Sequence, residues 1–348
     1  MRKSSQVTQS KIAEMLGIST VTVSKALRNH PDISPETIQR VKRVANELGY
    51  TPDLIARALS SRRSNIIGVV LPEIDHTFFA GVMKGIHSAA KENHYQIVLT
   101  VSQEDDQREI ENLQTLAAMR VDGILISISQ KTQDIRIFQK IKDRKIPVVF
   151  FDRILMEEGF SSVVVNDREA AFQAVKYALD QGYTRIAHLG GPQHISIAKE
   201  RAAGYWDALH SAGMKERDGW VIPCGFYEED GYLAFKQLMQ TRPQTDAVFT
   251  VNDPVAIGVY DAVREMGLRI PGDMGVIGFS DNIISRYLSP PLTTISQPAQ
   301  DIGRRSVQLL LEALQRPERQ SPRQMIIPAR LIVRESCLSK RRAGTTGE

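Results

Sequence analysis

Along the chain the rhythm of apolar and polar positions changes near residue 65. Before that point apolar residues recur every three or four positions; after it, short apolar runs alternate with stretches of helical spacing. The opening part reads as three short helices. The first covers 10–16, with Ile12, Ala13 and Leu16 on one face and Gly17 as its stop. Ser19 then caps a second helix over 20–28, where Val23 and Leu27 point inward and Thr20, Val21, Ser24, Lys25 and Arg28 share the opposite face. A third opens at Ser34-Pro35-Glu36-Thr37 and buries Ile38, Val41, Val44, Ala45 and Leu48. Helix, glycine turn, then a helix with a small, polar and basic face is the helix-turn-helix pattern, whose second helix enters the DNA major groove. A plain three-helix mini-domain is the competing reading.

From Asn65 onward the alternation of strands and helices signals parallel α/β units. NIIGVVLP, YQIVLTV, DGILISIS and PVVFFD, with helices over 78–93, 109–119 and 135–144, make one lobe. SSVVVND, TRIAHLGG, DAVFTVND and VIGFSD, with helices over 168–181, 196–212, 231–240 and up to Met266, make a second. LTTISQP, a helix over 299–314 and MIIPARLIV follow both series and read as pieces returning through each lobe. The expected fold class is an N-terminal all-α helix-turn-helix followed by a two-lobed α/β domain with parallel sheets. Its expected segments are a head at 1–49, a hinge at 50–64, a sensor at 65–337 and a tail at 338–348. Within the sensor, one lobe takes about 65–163 plus 293–322, and the other about 164–292 plus 323–337.

Two open α/β sheets facing each other form a cleft at the C-terminal ends of their strands, where small ligands bind. The candidate lining follows those strands: His76, Phe78 and Phe79 after the first, Asp152 and Arg153 in PVVFFDR, Arg201 in the helix after LGGP. Phe226 comes after VIPCG, Asn252 and Asp253 close DAVFTVND, and Asp281 closes VIGFSD. Carboxylates, an amide and guanidinium groups beside aromatic rings suit a polyhydroxylated ligand. Asp152 and Asp253 also read as helix caps, and the two phenylalanines as ordinary core.

Composition narrows the function classes. With 42% hydrophobic and 24% charged residues and no apolar run of membrane-spanning length, the chain reads as soluble and globular. No apolar stretch follows the basic N-terminus, so no secretory signal is expected and a cytoplasmic address is, with nucleoid association when DNA is bound. Cys224 and Cys337 lack metal or redox spacing. The net charge of +4 is uneven: residues 1–64 hold 11 Lys/Arg against 5 Asp/Glu, and the remainder is slightly acidic. A basic head on a near-neutral body is the footprint of one module that meets phosphates and another that does not. No phosphate loop, metal cluster or nucleophile elbow is present, so no enzyme activity, metal or cofactor is expected. An exported sugar-binding protein would explain the cleft and leave the basic head unexplained.

The segments IAEMLGIS, TVSKALR, ISPETIQRV, LGYTP and ARAL together resemble the opening of LacI/GalR-type bacterial repressors, and the similarity continues to about Ser336. The resemblance implies a periplasmic-binding-protein-like sensor, double-stranded operator DNA and a sugar-like effector as partners, and a homodimer without a tetramerising tail. It assigns base-edge contacts to Thr20, Val21 and Lys25, and phosphate contacts to Ser19, Thr22, Ser24, Arg28 and Tyr50, with Thr8 in the same DNA-binding set. It also implies a hinge helix whose Ala56, Arg57 and Leu59 enter the minor groove, Leu59 as a wedge. Asp53 departs from the asparagine usual at its place. Arg201, Asn252 and Asp281 match the ligand positions of the family best, whereas Ser280 stands where the lac repressor carries an acidic residue. Repression relieved by ligand and repression requiring ligand both stay open.

Overall fold

The structure is a computed structural model that describes residues 7–50, 63–155, 159–215, 220–315 and 321–338. The chain divides into two compact units, Met1–Ser64 and Asn65–Glu348. In the first, α1 (Gln9–Leu16), α2 (Thr20–Leu27) and α3 (Pro35–Glu47) pack around Ile12, Val23, Ala26 and Val41, all fully buried. A hydroxyl caps each helix: Thr8 accepts from the Lys11 N–H, Ser19 from Thr22 and Ser34 from Thr37. Each such cap stabilises by about 1 kcal/mol, which matters in helices of eight residues. Ala26 takes the fully inward place expected of Leu27, which is only partly buried against this core.

The second unit holds two lobes. The first lobe's parallel sheet is built from β1 (Ile66–Leu71), β2 (Gln96–Val101), β3 (Gly123–Ile126), β4 (Val148–Phe151) and β5 (Ser161–Val165), with β11 (Gln324–Ile327) returning late, in the order β11-β5-β4-β3-β1-β2. Helices α4 (Thr77–Glu92), α5 (Asp106–Ala118), α6 (Arg136–Asp143) and α11 (Ala299–Gln315) belong to it. Strands β1, β3 and β4 are buried on both faces, as parallel strands covered by helices must be. Helices α4 and α11 approach so closely that a Cβ on Gly85 would lie 2.0 Å from the Gln300 carbonyl, and one on Gly303 2.1 Å from that of Val82.

The second lobe carries β6 (Ile186–Gly190), β7 (Val221–Pro223), β8 (Ala247–Thr250) and β9 (Gly275–Ile277) in the order β7-β6-β8-β9, all parallel. Its helices are α7 (Asp167–Asp180), α8 (Ser196–Ser211), α9 (Glu228–Thr241) and α10 (Asp253–Glu265), and β10 (Thr294–Ser296) pairs antiparallel with β12 (Arg330–Ile332). Two segments expected in this lobe lie in the other: SSVVV pairs with β4, and β11 then extends the same sheet beyond it. Alternation of elements says that a strand exists but not which sheet edge it joins. Here Phe151 opposite Val163, and Met325 and Ile327 opposite Val163 and Val165, decide the matter by packing apolar side chains into the core of the first sheet. No helix among the described residues is long and apolar enough to cross a membrane.

Candidate DNA-reading face and ligand cleft

In the head, α2 exposes Thr20 and Val21 to solvent, Val21 at 63%. Ser24 and Lys25 follow on the same side, half-buried. Lys25 Nζ is held 3.0 Å from Asp32, so it must leave a carboxylate to reach a base edge. Arg28 folds back onto the Ser24 carbonyl and hydroxyl at 3.1 and 3.2 Å. Ser19 and Thr22 are joined through their hydroxyls at 2.9 Å at the start of α2, where the helix dipole favours an anion. Tyr50 accepts from the Gln9 side chain at 3.0 Å, and Thr8 caps α1. The hinge residues Ala56, Arg57 and Leu59, and Asp53 before them, lie outside the described residues.

In the sensor, His76, Phe78, Phe79, Asp152, Arg153, Arg201, Phe226 and Asn252 surround one cavity of about 30 Å3, joined by Ile197, Pro254, Ser280, Asn282 and Gln297. That is room for one or two water molecules, so a sugar requires the lobes to part. The first helical turn after β1 delivers the Phe pair, and the end of β4 delivers Asp152 and Arg153. The α8 helix delivers Arg201. Asp152 has φ +59°, a left-handed backbone that its buried side chain occupies without capping any helix. It accepts from the Gln297 amide at 3.4 Å. Burial pushes the Asp152 carboxyl up, and the nearby Arg201 and Arg153 pull it back.

Both guanidinium groups are locked. Arg201 donates to Asp167 at 2.8 Å and to the Val251 carbonyl at 2.5 Å, and lies 3.5 Å over the Phe279 ring. Its Nη2 sits 2.7 Å from the same Asp167 oxygen without a hydrogen-bonding angle. Asp167 is pushed up to about 6 by burial, opposed by Arg201. Arg153 pairs with buried Glu104 at 2.6 Å and lies 4.1 Å over the Phe226 ring. Among the described residues, Arg153 Nε and Arg201 Nη2 are buried with no hydrogen-bond partner.

Asp281, expected in the cleft, is absent from its lining. Its carboxylate accepts from Arg334 at 2.6 Å. Ser280 at φ +137° and Asp281 at φ +55° turn the chain so that residues on either side of Asp281 line the cavity instead. Asn252 does line it, yet both ends of its amide are engaged: it caps α10 at the Val255 N–H and donates to the Phe226 carbonyl. Asp253 is no cap: its carboxylate accepts from Asn282, Ser285 and Thr294. Gln297 was missed although it follows the strand LTTIS, the same signal that located the other strand-end residues. Ile197 and Pro254 carry no such signal.

A titration follows from a buried carboxyl of the first lobe. Glu109 is 1% exposed, accepts from the Ser129 N–H and the Thr132 hydroxyl, and is pushed up to about 7 by burial. A folded-state pKa above the unfolded value gives stability that is complete below pH about 4.5 and lost as pH rises through about 7, here about 3 kcal/mol. Glu109→Gln is therefore expected to gain on the parent between pH 4.5 and 8 by about that amount, read from urea midpoints. A constant difference between the two proteins across that range would refute it.

A basic helical head and a two-lobed sensor with a polar, aromatic-walled cleft define a DNA-binding protein answering to a small molecule. Residues 10–53 match the pattern of bacterial regulatory proteins of the lacI family, and residues 64–335 that of periplasmic binding proteins and the sugar-binding domain of the LacI family. The chain is 32% identical over 332 residues to the ribose operon repressor of Haemophilus influenzae, covering 95% of this chain and 99% of that one. The lac repressor dimer bound to operator and the anti-inducer ONPF superposes with a TM-score of 0.83 at 25% identity, over 95% of this chain and 99% of that one. A LacI-family regulator from Enterococcus faecium with bound ribose gives 0.70 at 27% identity, over 79% and 99%. This chain belongs to the LacI family and is a DNA-binding transcription regulator.

Proposed function

We propose that this regulator represses transcription by binding a two-fold symmetric operator as a homodimer, and that a small neutral sugar of pentose size in the sensor cleft sets its operator affinity. The carrying observation is a pair of buried guanidinium nitrogens beside the Asp152 carboxylate: Arg153 Nε has no hydrogen-bond partner, and Arg201 Nη2 has only the off-angle Asp167 oxygen at 2.7 Å. A buried donor left unmade costs about 1–3 kcal/mol, and the oxygens of a polyol would satisfy both while its hydroxyls donate to Asp152. Each guanidinium already faces its own buried carboxylate, Glu104 or Asp167, so the cleft holds no surplus cation for an acidic ligand. Similarity to a ribose operon repressor and to a ribose-bound regulator supports a pentose. His76, Phe78, Phe79 and Phe226 supply its apolar walls; Asp281 acts only through the loop.

On the DNA side, Thr20, Val21 and Lys25 read base edges, while Thr8, Ser19, Thr22, Ser24, Arg28 and Tyr50 hold phosphates, and the 50–64 hinge with Ala56, Arg57 and Leu59 enters the minor groove. The head at 1–49 and the sensor at 65–337 are the working parts, on the nucleoid in the cytoplasm. Lobe movement on binding sugar shifts the population of ordered hinges.

D-Ribose in a thermal-shift titration is expected to raise Tm and, by reciprocal linkage, to change operator affinity. If no monosaccharide raises Tm, the effector reading fails. Separately, Lys25→Ala should relax preference at one base pair by about 1–3 kcal/mol, whereas Arg28→Ala weakens binding alike on all duplexes. Gel-shift competition between operator and random DNA tells them apart, and equal losses from Lys25→Ala would move it to the phosphate set.

A further inference from the structure

One buried carboxylate outside the cleft lining joins the two lobes. Glu104 follows β2 in the first lobe and is 6% exposed, and both it and Gln103 have left-handed backbones, at φ +55° and +52°. Two such residues in succession are costly and persist only where surrounding contacts over-determine them. The carboxylate accepts from Arg153 Nη1 at 2.6 Å and from the Gln130 N–H at 2.7 Å. Each of those partners continues into the second lobe: the Arg153 guanidinium lies over Phe226, and the Gln130 carbonyl is 2.6 Å from His194 Nε2. The Tyr227 hydroxyl, also of the second lobe, comes close enough to Glu104 for the carboxylate to raise its pKa, behind burial as the larger cause. The Tyr227 ring meets His76 across the cleft, with centroids 5.5 Å apart.

We propose that Glu104 is a positioning residue that latches the lobes: it holds Arg153 against Phe226 and steadies the Gln130 turn against His194, so that the cleft wall and the closed lobe arrangement stand or fall together. An effector that draws on Arg153 then acts on the same carboxylate that keeps the lobes shut. The link from cleft to lobe angle thereby centres on the Glu104 carboxylate. This deepens the effector reading, but the latch itself needs no ligand to be observed.

The test uses the full chain with spin labels on Gln107→Cys in the first lobe and Glu229→Cys in the second, both exposed positions. Cys337 is buried, and the half-buried Cys224 is replaced by Ser in every labelled protein. Interlobe distance distributions from pulsed electron resonance are expected to be narrow in the parent. In Glu104→Gln a longer-distance population should rise about tenfold, as expected for loss of a charged hydrogen bond. His194→Ala, which leaves the Arg153 pair intact and removes the contact to the Gln130 turn, should move it in the same direction by less. Parent-like distributions in both variants overturn the latch. A change in Glu104→Gln together with none in His194→Ala overturns it also, leaving Glu104 a local support for Arg153. D-Ribose added to the labelled parent tests the effector reading by itself: no shift there defeats a pentose ligand and leaves the ligand-free comparison standing.

Discussion

Arg201→Met is expected to abolish the response to effector and to cost about 3–5 kcal/mol of stability at neutral pH, the range found when one partner of a buried pair is removed. Arg201 is 1% exposed and faces Asp167, with Asp152 close by, so its loss leaves Asp167 buried without its counter-ion and Asp152 with Arg153 alone. Asp167 is already raised to about 6 and rises further without Arg201. The variant should therefore recover stability relative to the parent as pH falls through that higher pKa to about 6, because a protonated carboxyl needs no counter-ion; below 6 both proteins protonate Asp167 and gain in parallel. Urea unfolding followed by the fluorescence of Trp206 and Trp220 measures this. The double variant Arg201→Met with Asp167→Asn should regain most of the lost stability and none of the effector response. A double variant that still answers to effector would show that Arg201 supports the fold alone.

Asp253→Ala should be the next most damaging change. Its carboxylate, with no solvent exposure, accepts from the Asn282 N–H at 2.7 Å and from the Ser285 and Thr294 hydroxyls at 2.6 Å each. Three stranded donors at about 1–3 kcal/mol each, eased by relaxation of the loop, lead to a loss of about 4 kcal/mol. The same loop carries Ser280 and Asn282 into the cleft, so effector affinity should fall with stability. Hydrogen exchange at the Asn282 amide is the direct readout, and protection equal to that of the parent would exclude the role.

The cap residues Ser19 and Ser34 and the stop at Gly17 made the head legible from local spacing, because a short capped helix answers largely to its own ends, whereas the Thr8 cap of the first helix emerged only in the structure. Strand-end positions likewise located most of the cleft, since an open parallel sheet places its ligand groups there whatever the chemistry. Legibility failed where a side chain's direction depends on backbone twist. The left-handed pair Ser280 and Asp281 exchanged one lining residue for its neighbours, and no periodicity reports a φ of +137°. It failed also for partners distant in sequence: Glu104 with Arg153, and Asp167 with Arg201, are separated by 49 and 34 positions.

Apolar spacing, hydroxyl caps and charge distribution alone determined that a basic three-helix head precedes an alternating α/β body, since each arises from neighbours along the chain. Only the tertiary structure decided that β5 and β11 extend the first sheet, that Asp281 serves Arg334, and that Asp253 ties a loop. Those outcomes depend on which buried charges and donors find partners once distant segments meet. A polar group's cost in the interior is settled by what it touches there.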